Sequence, residues 1–381
     1  MIYRNLGNTG LKVSEIALGC EGFAELSAKE SRKRMEQAMS YGVNFFDMYA
    51  SSPKLRDNMG YAIKGHRDDL IIQGHLCSTW KNEQYLRTRN IEEVRESFED
   101  LMKRLDTDYI DIGMIHYIDA EEDFHQVFDG PVMEYALELK KQGRIKHIGM
   151  SSHNPAVAKM AVETGLIEVL MFSINPSYDM QPPTEDVEQL WADEVYMESY
   201  HNQDASRTEL YELCEKMGVG IDVMKAFGGG DLLDEELSPF GKTFTVNQCI
   251  HYALTRPAVG AIMGGFRSEE NLKEMVAYEM ATEEEKDYAN VLSGLERHSF
   301  EGHCMYCGHC APCPKGIDVA SVTKYLNLAV AQGEVPETVR EHYKLLNHHA
   351  DECIACGSCE KNCPFGVKII DNMKRAAKLF G

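Results

Sequence analysis

The chain lacks any run of about 18 apolar residues, and its opening, MIYRNLGNTGLKVS, has no apolar segment of the kind a secretory leader needs. Basic charge is short as well. Against 61 Asp and Glu stand 39 Lys and Arg, a formal charge of −22. These absences exclude a membrane-spanning helix and lead us to expect a cytoplasmic protein with neither nucleic acid nor a membrane as partner. No G-x-G-x-x-G follows the first apolar run, which removes the main support for a doubly wound dinucleotide-binding sheet. Cysteine is sparse until the last fifth of the chain, so a secreted disulfide framework is excluded too.

That last fifth holds eight of the twelve cysteines, in two quartets. Cys304, Cys307, Cys310 and Cys313 are each two residues apart, and Pro314 follows. Cys353, Cys356 and Cys359 repeat the spacing, then three residues lead to Cys363 and Pro364. Three thiolates so spaced wrap one corner of a cubane, and the fourth comes from the other motif, as in two-cluster ferredoxins. Structural zinc usually needs only two Cys pairs separated by a longer loop. Two [4Fe-4S] clusters are therefore expected. By the crossing pattern, one takes Cys304, Cys307, Cys310 and Cys363, and the other Cys353, Cys356, Cys359 and Cys313. Such chemistry suits a reducing, anaerobic setting and an electron donor or acceptor such as a ferredoxin or flavodoxin.

The first 280 or so residues alternate short apolar runs with stretches of helical period. Strands are predicted over Glu15–Gly19, Asn44–Asp47, Leu70–Gly74, Tyr109–Ile115, His147–Met150, Val169–Ser173, Gly220–Met224 and Gly260–Met263. Predicted helices include Ser31–Tyr41, Ile91–Leu105, Val132–Gln142, Ala156–Thr164, Arg207–Met217 and Val246–Leu254. Eight βα units in about 250 residues describe an α/β fold, a (β/α)8 TIM barrel. A hairpin around Asn8–Gly10 would close its bottom. Two long loops, Leu76–Asn90 and Asp179–Ser206, carry scattered aromatics and read as lids. The barrel is expected over 1–281 and a connecting helix over 282–299. An α-helical di-cluster domain follows over 300–381, with stripes at Val322/Leu326/Ala329, Val339/Tyr343/Leu346 and Ile370/Met373/Ala377.

Barrel chemistry gathers at the carboxyl ends of the strands, where side chains alternate with a period of two. In phase with inward apolar residues stand Asp47 and Tyr49 on strand two, His75 on strand three and His116 on strand four. Two His and one carboxylate also match a facial triad for a divalent metal. Lys225, just past strand seven, offers positive charge or an ion pair with Asp222. Cys20 and Cys77 read as small buried hydrophobes.

GVNFFDMY (42–49), RDDLIIQGH (67–75), LDTDYIDIGMIHYID (105–119), LKKQGRIKHIGMSSHN (139–154) and GAIMGGFRSEENL (260–272) resemble the aldo-keto reductase family, in the branch with a C-terminal ferredoxin-like domain. The resemblance implies reversible hydride transfer between NAD(P)H and a carbonyl, with Asp, Tyr, Lys and His as the working set. Position by position, the Asp falls on Asp47 and the His on His116, while the Tyr falls on Ser52 and the Lys on His75. The carboxamide-holding pair falls on Ser151 and Ser152, the strand-six Gln on Met171 and the stacking aromatic on Met224. A phosphate-binding turn survives as Gly264, Gly265, Arg267 and Ser268.

His75 or His116, then Tyr49, replaces the missing acid. The expectation is an iron–sulfur oxidoreductase acting on a small carbonyl or hydroxyl compound. Its rivals are an NAD(P)H hydride-transfer reductase and an electron carrier on a degenerate barrel.

Overall fold

The computed structural model describes residues 1–180, 205–266 apart from 236, 239 and 241, 268–292, 304, 308–331, 335–363 and 366–381. The chain divides into two compact units. The first takes in Met1–Trp80, the chain from Arg87 and the segment ending at His298. The second joins Lys81–Leu86 to the C-terminal stretch. Most of the second predicted lid, with Pro182, Pro183, Trp191, Tyr196 and Tyr200, lies outside the described residues, as do Arg267 and Cys307.

Eight parallel strands close the first unit into a barrel, each beside its neighbours in sequence. They are β1 (Ile16–Gly19), β2 (Phe45–Met48), β3 (Ile71–Leu76), β4 (Ile110–Ile115), β5 (Ile145–Ser152), β6 (Val169–Ser173), β7 (Gly220–Met224) and β8 (Val259–Gly265). Period-two alternation sorts the side chains into two layers. Phe45, Ile71, Ile112, Met114, Val169 and Met171 fill the barrel interior. Their neighbours Phe46, Ile72, Ile115 and Leu170 face the helical layer. A fully buried Phe or Ile contributes about 1.5–3 kcal/mol, so both layers reinforce one register.

Helices start where side chains satisfy the first backbone N–H groups. Ser27 and Glu30 form a reciprocal cap before Ala28–Ser40. Asn90 accepts from the N–H groups of Glu92 and Glu93 to open Ile91–Leu105. Helices at Pro53–Ile63 and Glu121–Phe128 complete the layer without having been read from the sequence; the first opens on a proline whose missing N–H costs nothing there.

Tyr3–Asn5 pairs antiparallel with Lys12–Ser14, as expected of a bottom hairpin. Leu6 and Val13 from this hairpin join the barrel's interior core. Gly7 has a left-handed φ of 53°, and a Cβ there would collide with the Gly220 backbone at the start of β7.

The loop predicted over Leu76–Asn90 is largely a second hairpin, with strands Ser78–Lys81 and Gln84–Arg87. Asn82 and Glu83 at its tip both have positive φ, the two-residue turn geometry that matches strand twist. The connecting helix expected over 282–299 is also different: two short helices, Glu283–Lys286 and Ala289–Leu292, occupy its described part. Asp287 between them adopts extended geometry with ψ of 113°, which ends the first.

In the second unit, Val319–Ala331 buries Val322, Leu326 and Ala329, and Glu337–Lys344 buries Val339 and Tyr343. Ile369–Phe380 buries Ile369, Met373 and Ala376, so its stripe lies one residue earlier at both ends than the expected Ile370 and Ala377. Tyr343 stacks on Phe380 with ring centroids 4.2 Å apart, and its hydroxyl accepts the Ala350 N–H.

Candidate functional site

At the carboxyl end of the barrel, Asp47, His75 and His116 form one hydrogen-bonded chain. His75 Nε2 lies 2.9 Å from Asp47 Oδ1, and His75 Nδ1 lies 2.7 Å from His116 Nδ1. All three are buried. A carboxylate can only accept, so His75 Nε2–H donates to Asp47. With His75 neutral, its Nδ1 accepts from His116 Nδ1–H. The chain thereby fixes both tautomers, with His116 Nε2 on the opposite side of the ring from His75.

A proton added to that Nε2 makes His116 a donor. Tyr49, expected as a second acid, stacks on His116 with centroids 5.8 Å apart and planes 8° from parallel. The two imidazoles bond to one another instead of converging on a point. These three side chains, Asp47, His75 and His116, are not grouped to hold one metal ion. The facial-triad reading is thus replaced by a relay.

Gln73 extends the chain into the barrel. Its Nε2 donates to Asp47 Oδ1 and to Asp222 Oδ2 on β7, both at 2.9 Å. Asp222 is fully buried, and its Oδ1 has no hydrogen-bond partner among the protein atoms described. Burial, with Asp47 nearby adding repulsion, pushes the Asp222 carboxyl well above its usual range. A group whose folded pKa is raised loses stabilisation as pH climbs from its unfolded value, about 4, toward its folded value. D222N removes that dependence. In thermal melts from pH 4 to 8, we expect the variant to gain on the parent steadily as pH rises.

Lys225 does not pair with Asp222. Its backbone turns left-handed at φ 60°, and Nζ lies 3.0 Å from His153 Nε2. His153 Nδ1 in turn lies 2.8 Å from Asp119 Oδ2, while Ser152 Oγ and the His153 N–H both donate to Asp119 Oδ1. These bonds, with the His153 imidazole alongside, hold the Asp119 carboxyl far below the usual range despite its burial. Burial first, then the Lys225 charge, lower the His153 pKa. Neither Asp119 nor His153 was singled out from the sequence. The signal was there for His153, since Gly149, Ser151 and His153 continue the period-two phase. Tyr117 stands between the two groups, its ring 6.2 Å from His116 and 5.2 Å from His153. Its φ of 54° is left-handed as well, a cost of order 1–2 kcal/mol for a non-glycine residue. Such strain gathers at functional sites.

The residues expected to hold a nicotinamide dinucleotide have partners of their own within the protein. Ser151 Oγ accepts the Tyr117 N–H at 2.7 Å, and Ser152 Oγ is spent on Asp119 and Asn154. Gly264 and Gly265 end β8, and Ser268 caps the following helix, Glu269–Ala277. That helix opens with Glu269 and Glu270, charges that oppose a phosphate at the same terminus. Cys20 and Cys77 are buried, and burial pushes both thiols up, so they act as core residues.

In the second unit, Cys313, Cys353, Cys356 and Cys359 line one cavity whose wall includes Ile317 and Met373. The Ala355 N–H donates to Cys353 Sγ at 3.4 Å. Four thiols around an apolar space, with a backbone N–H on sulfur, fit an iron–sulfur cubane. Gln84 fixes Cys313 from the hairpin tip: its Oε1 accepts the Cys313 N–H at 3.0 Å and its Nε2 donates to the Cys313 carbonyl at 3.2 Å. Asn362, beside Cys363, donates to the Ala311 carbonyl, between Cys310 and Cys313. Cys310 is buried and Cys304 half-buried.

Comparison with known proteins agrees with both units. Residues 15–246 match the aldo/keto reductase family, and residues 303–368 match a 4Fe-4S dicluster domain. Aldo-keto reductase YhdN of Bacillus subtilis is 26% identical over 330 residues, covering 77% of this chain and 94% of the relative. The oxidoreductase YqkF of the same organism is 26% identical over 290 residues, 72% of this chain and 89% of its own. The solved structure of aldo-keto reductase AKR11C1 from Bacillus halodurans, in its holo form, superposes with a TM-score of 0.60 at 22% identity, over 80% of this chain and 99% of that one. The barrel and the cysteine-lined unit thus have one reading: the chain is an oxidoreductase of the aldo/keto reductase family with a C-terminal 4Fe-4S dicluster domain.

Proposed function

We propose that the enzyme reduces, or in reverse oxidises, a small carbonyl or hydroxyl compound at the barrel mouth with electrons that pass through its clusters. The observation that carries this reading is the Asp47–His75–His116 chain. It stands where the resemblance puts the family's Asp, Lys and His, with Ser52 at the place of the Tyr, and supplies a proton donor without a phenol. Bound clusters would supply single electrons, held by Cys304, Cys307, Cys310 and Cys363 in one case and Cys353, Cys356, Cys359 and Cys313 in the other.

The protein's own part is acid–base work. Asp47 holds the His75 tautomer, His75 holds that of His116, and His116 Nε2–H protonates the substrate oxygen. In the oxidative direction the same atom takes the proton back. Buried surroundings strengthen each of these bonds relative to water. The engagement of Ser151 and Ser152 with Tyr117 and Asp119 supports a cycle without bound nicotinamide. A cytoplasmic ferredoxin or flavodoxin is the natural class of donor for such clusters.

The test is an anaerobic titration of the holoenzyme with NADH and NADPH while cluster absorbance is followed. We expect neither nucleotide to bleach the clusters or bind saturably, whereas a low-potential donor reduces them. Saturable binding of either nucleotide, with hydride delivered to substrate, would overturn the reading in favour of the hydride-transfer alternative.

A further inference from the structure

We infer that Asp119, His153 and Lys225 form a second proton relay at the barrel mouth, and that Lys225 Nζ protonates the substrate carbon. This rests on the proposed cluster-driven reduction. A hydride brings its own hydrogen to carbon, so hydride transfer asks the protein for one proton. Reduction by single electrons asks for two. In balance, one carbonyl group takes up two electrons and two protons and becomes one alcohol, with a new C–H and a new O–H bond in place of the C=O π bond. The electrons are drawn from a low-potential donor such as dithionite through the clusters. The oxygen takes the proton of His116 Nε2 and the carbon takes one from Lys225.

The mouth has two relays of matching construction. Each runs from a carboxylate, buried at Asp47 and half-buried at Asp119, through an imidazole to a group that can donate: Asp47–His75–His116 and Asp119–His153–Lys225. Tyr117 joins them, its ring lying against both His116 and His153. His153 Nδ1–H donates to Asp119, which leaves Nε2 to accept from the Lys225 ammonium.

The groups facing His153 are Asp119 from the β4 exit, Lys225 from the β7 exit, the Tyr117 ring and Arg207, whose guanidinium donates to the His153 carbonyl at 3.4 Å. Burial first, and then the repulsion of the Lys225 charge, disfavour the imidazolium of His153. Once Lys225 has given up a proton, that repulsion is gone and Asp119 favours the imidazolium. His153 can then take a proton and return it to Lys225. The pair behaves as one proton shared between two sites.

The experiment follows the hydrogen on carbon. Dithionite-reduced holoenzyme in heavy water is given a panel of small aldehydes and ketones, with benzaldehyde as the stereochemical probe. The expected parental product from benzaldehyde carries one deuterium on the carbinol carbon, in a single enantiomer. K225M is expected to lower the rate about 10²-fold or more and to scramble that enantiomer, with cluster reduction unchanged. K225R is expected to behave as K225M does, since guanidinium keeps the charge but holds its proton.

A K225R enzyme with parental rate and a single enantiomer overturns the relay, as does a K225M enzyme with both, and either result leaves the proposed function standing. A parental product without carbon-bound deuterium, or a panel with no reduced member, contradicts the proposed function itself. Histidine 15N spectra of the holoenzyme give a readout free of turnover. K225M should let His153 take its second proton at a higher pH than in the parent, and an unmoved His153 titration counts against the shared proton.

Discussion

H116A is expected to lower turnover of carbonyl substrates by about 10²–10⁴-fold, the usual worth of a general acid, while the clusters reduce as before. His116 is joined to His75 through its Nδ1, and no other imidazole is joined to His75 among the described bonds. Removal of that ring leaves His75 anchored on Asp47 but without its imidazole partner. Y49F serves as the counterpart. Tyr49 lies parallel to the His116 ring and acts as a wall, so its hydroxyl is expected to matter by no more than a few-fold. Steady-state rates with parallel cluster spectra decide between them. A large loss in Y49F with a small one in H116A would return the phenol to the role of donor.

The second large effect concerns the crossing of the cysteine motifs. Cys313 belongs in sequence to the first quartet, yet it shares a cavity with Cys353, Cys356 and Cys359. Gln84 pins its backbone on both sides, N–H and carbonyl, which holds the thiol in that place. C313A is therefore expected to lose about four of about eight irons per chain. The double variant C313A/C353A separates the assignments. If both thiols serve one cluster, the double variant keeps about four irons, the same as either single one. If Cys313 serves its own motif, the double variant loses both clusters. Iron and sulfide analysis of reconstituted protein reads the difference directly, and cluster EPR identifies which one survives.

The fold was legible because its signals are local. β-Strand and helix periods recur eight times, and the bottom hairpin follows from Asn8–Gly10 with short strands on either side. The polar ends Asp47, His75 and His116 were legible for the same reason: each stands in phase with apolar neighbours that must face inward.

What escaped the sequence depends on contacts between distant strands. Gln73 was in phase on β3, but its partner Asp222 is 149 residues away, and nothing local marks the bond. Lys225 stands three residues from Asp222 and looked like an ion-pair partner. The left-handed turn at Lys225 aims it instead at His153, 72 residues earlier. The hairpin in the first long loop was hidden because Asn82–Glu83 is a weaker turn signal than Asn–Gly. The last helix shows the limit of pattern alone, since Ile369 and Ile370 are equally apolar and only packing selects the first.

The central claim is that cluster electrons and the His116 proton, without a bound nicotinamide, reduce the substrate. The most direct measurement mixes nucleotide-free, dithionite-reduced holoenzyme with a reducible carbonyl compound in an anaerobic stopped-flow and follows the return of cluster absorbance. The expected result is reoxidation at least as fast as turnover in the parent and slowed about 10²-fold or more in H116A. Clusters that stay reduced in the parent until NAD(P)+ is added, or that reoxidise equally fast in H116A, would contradict it.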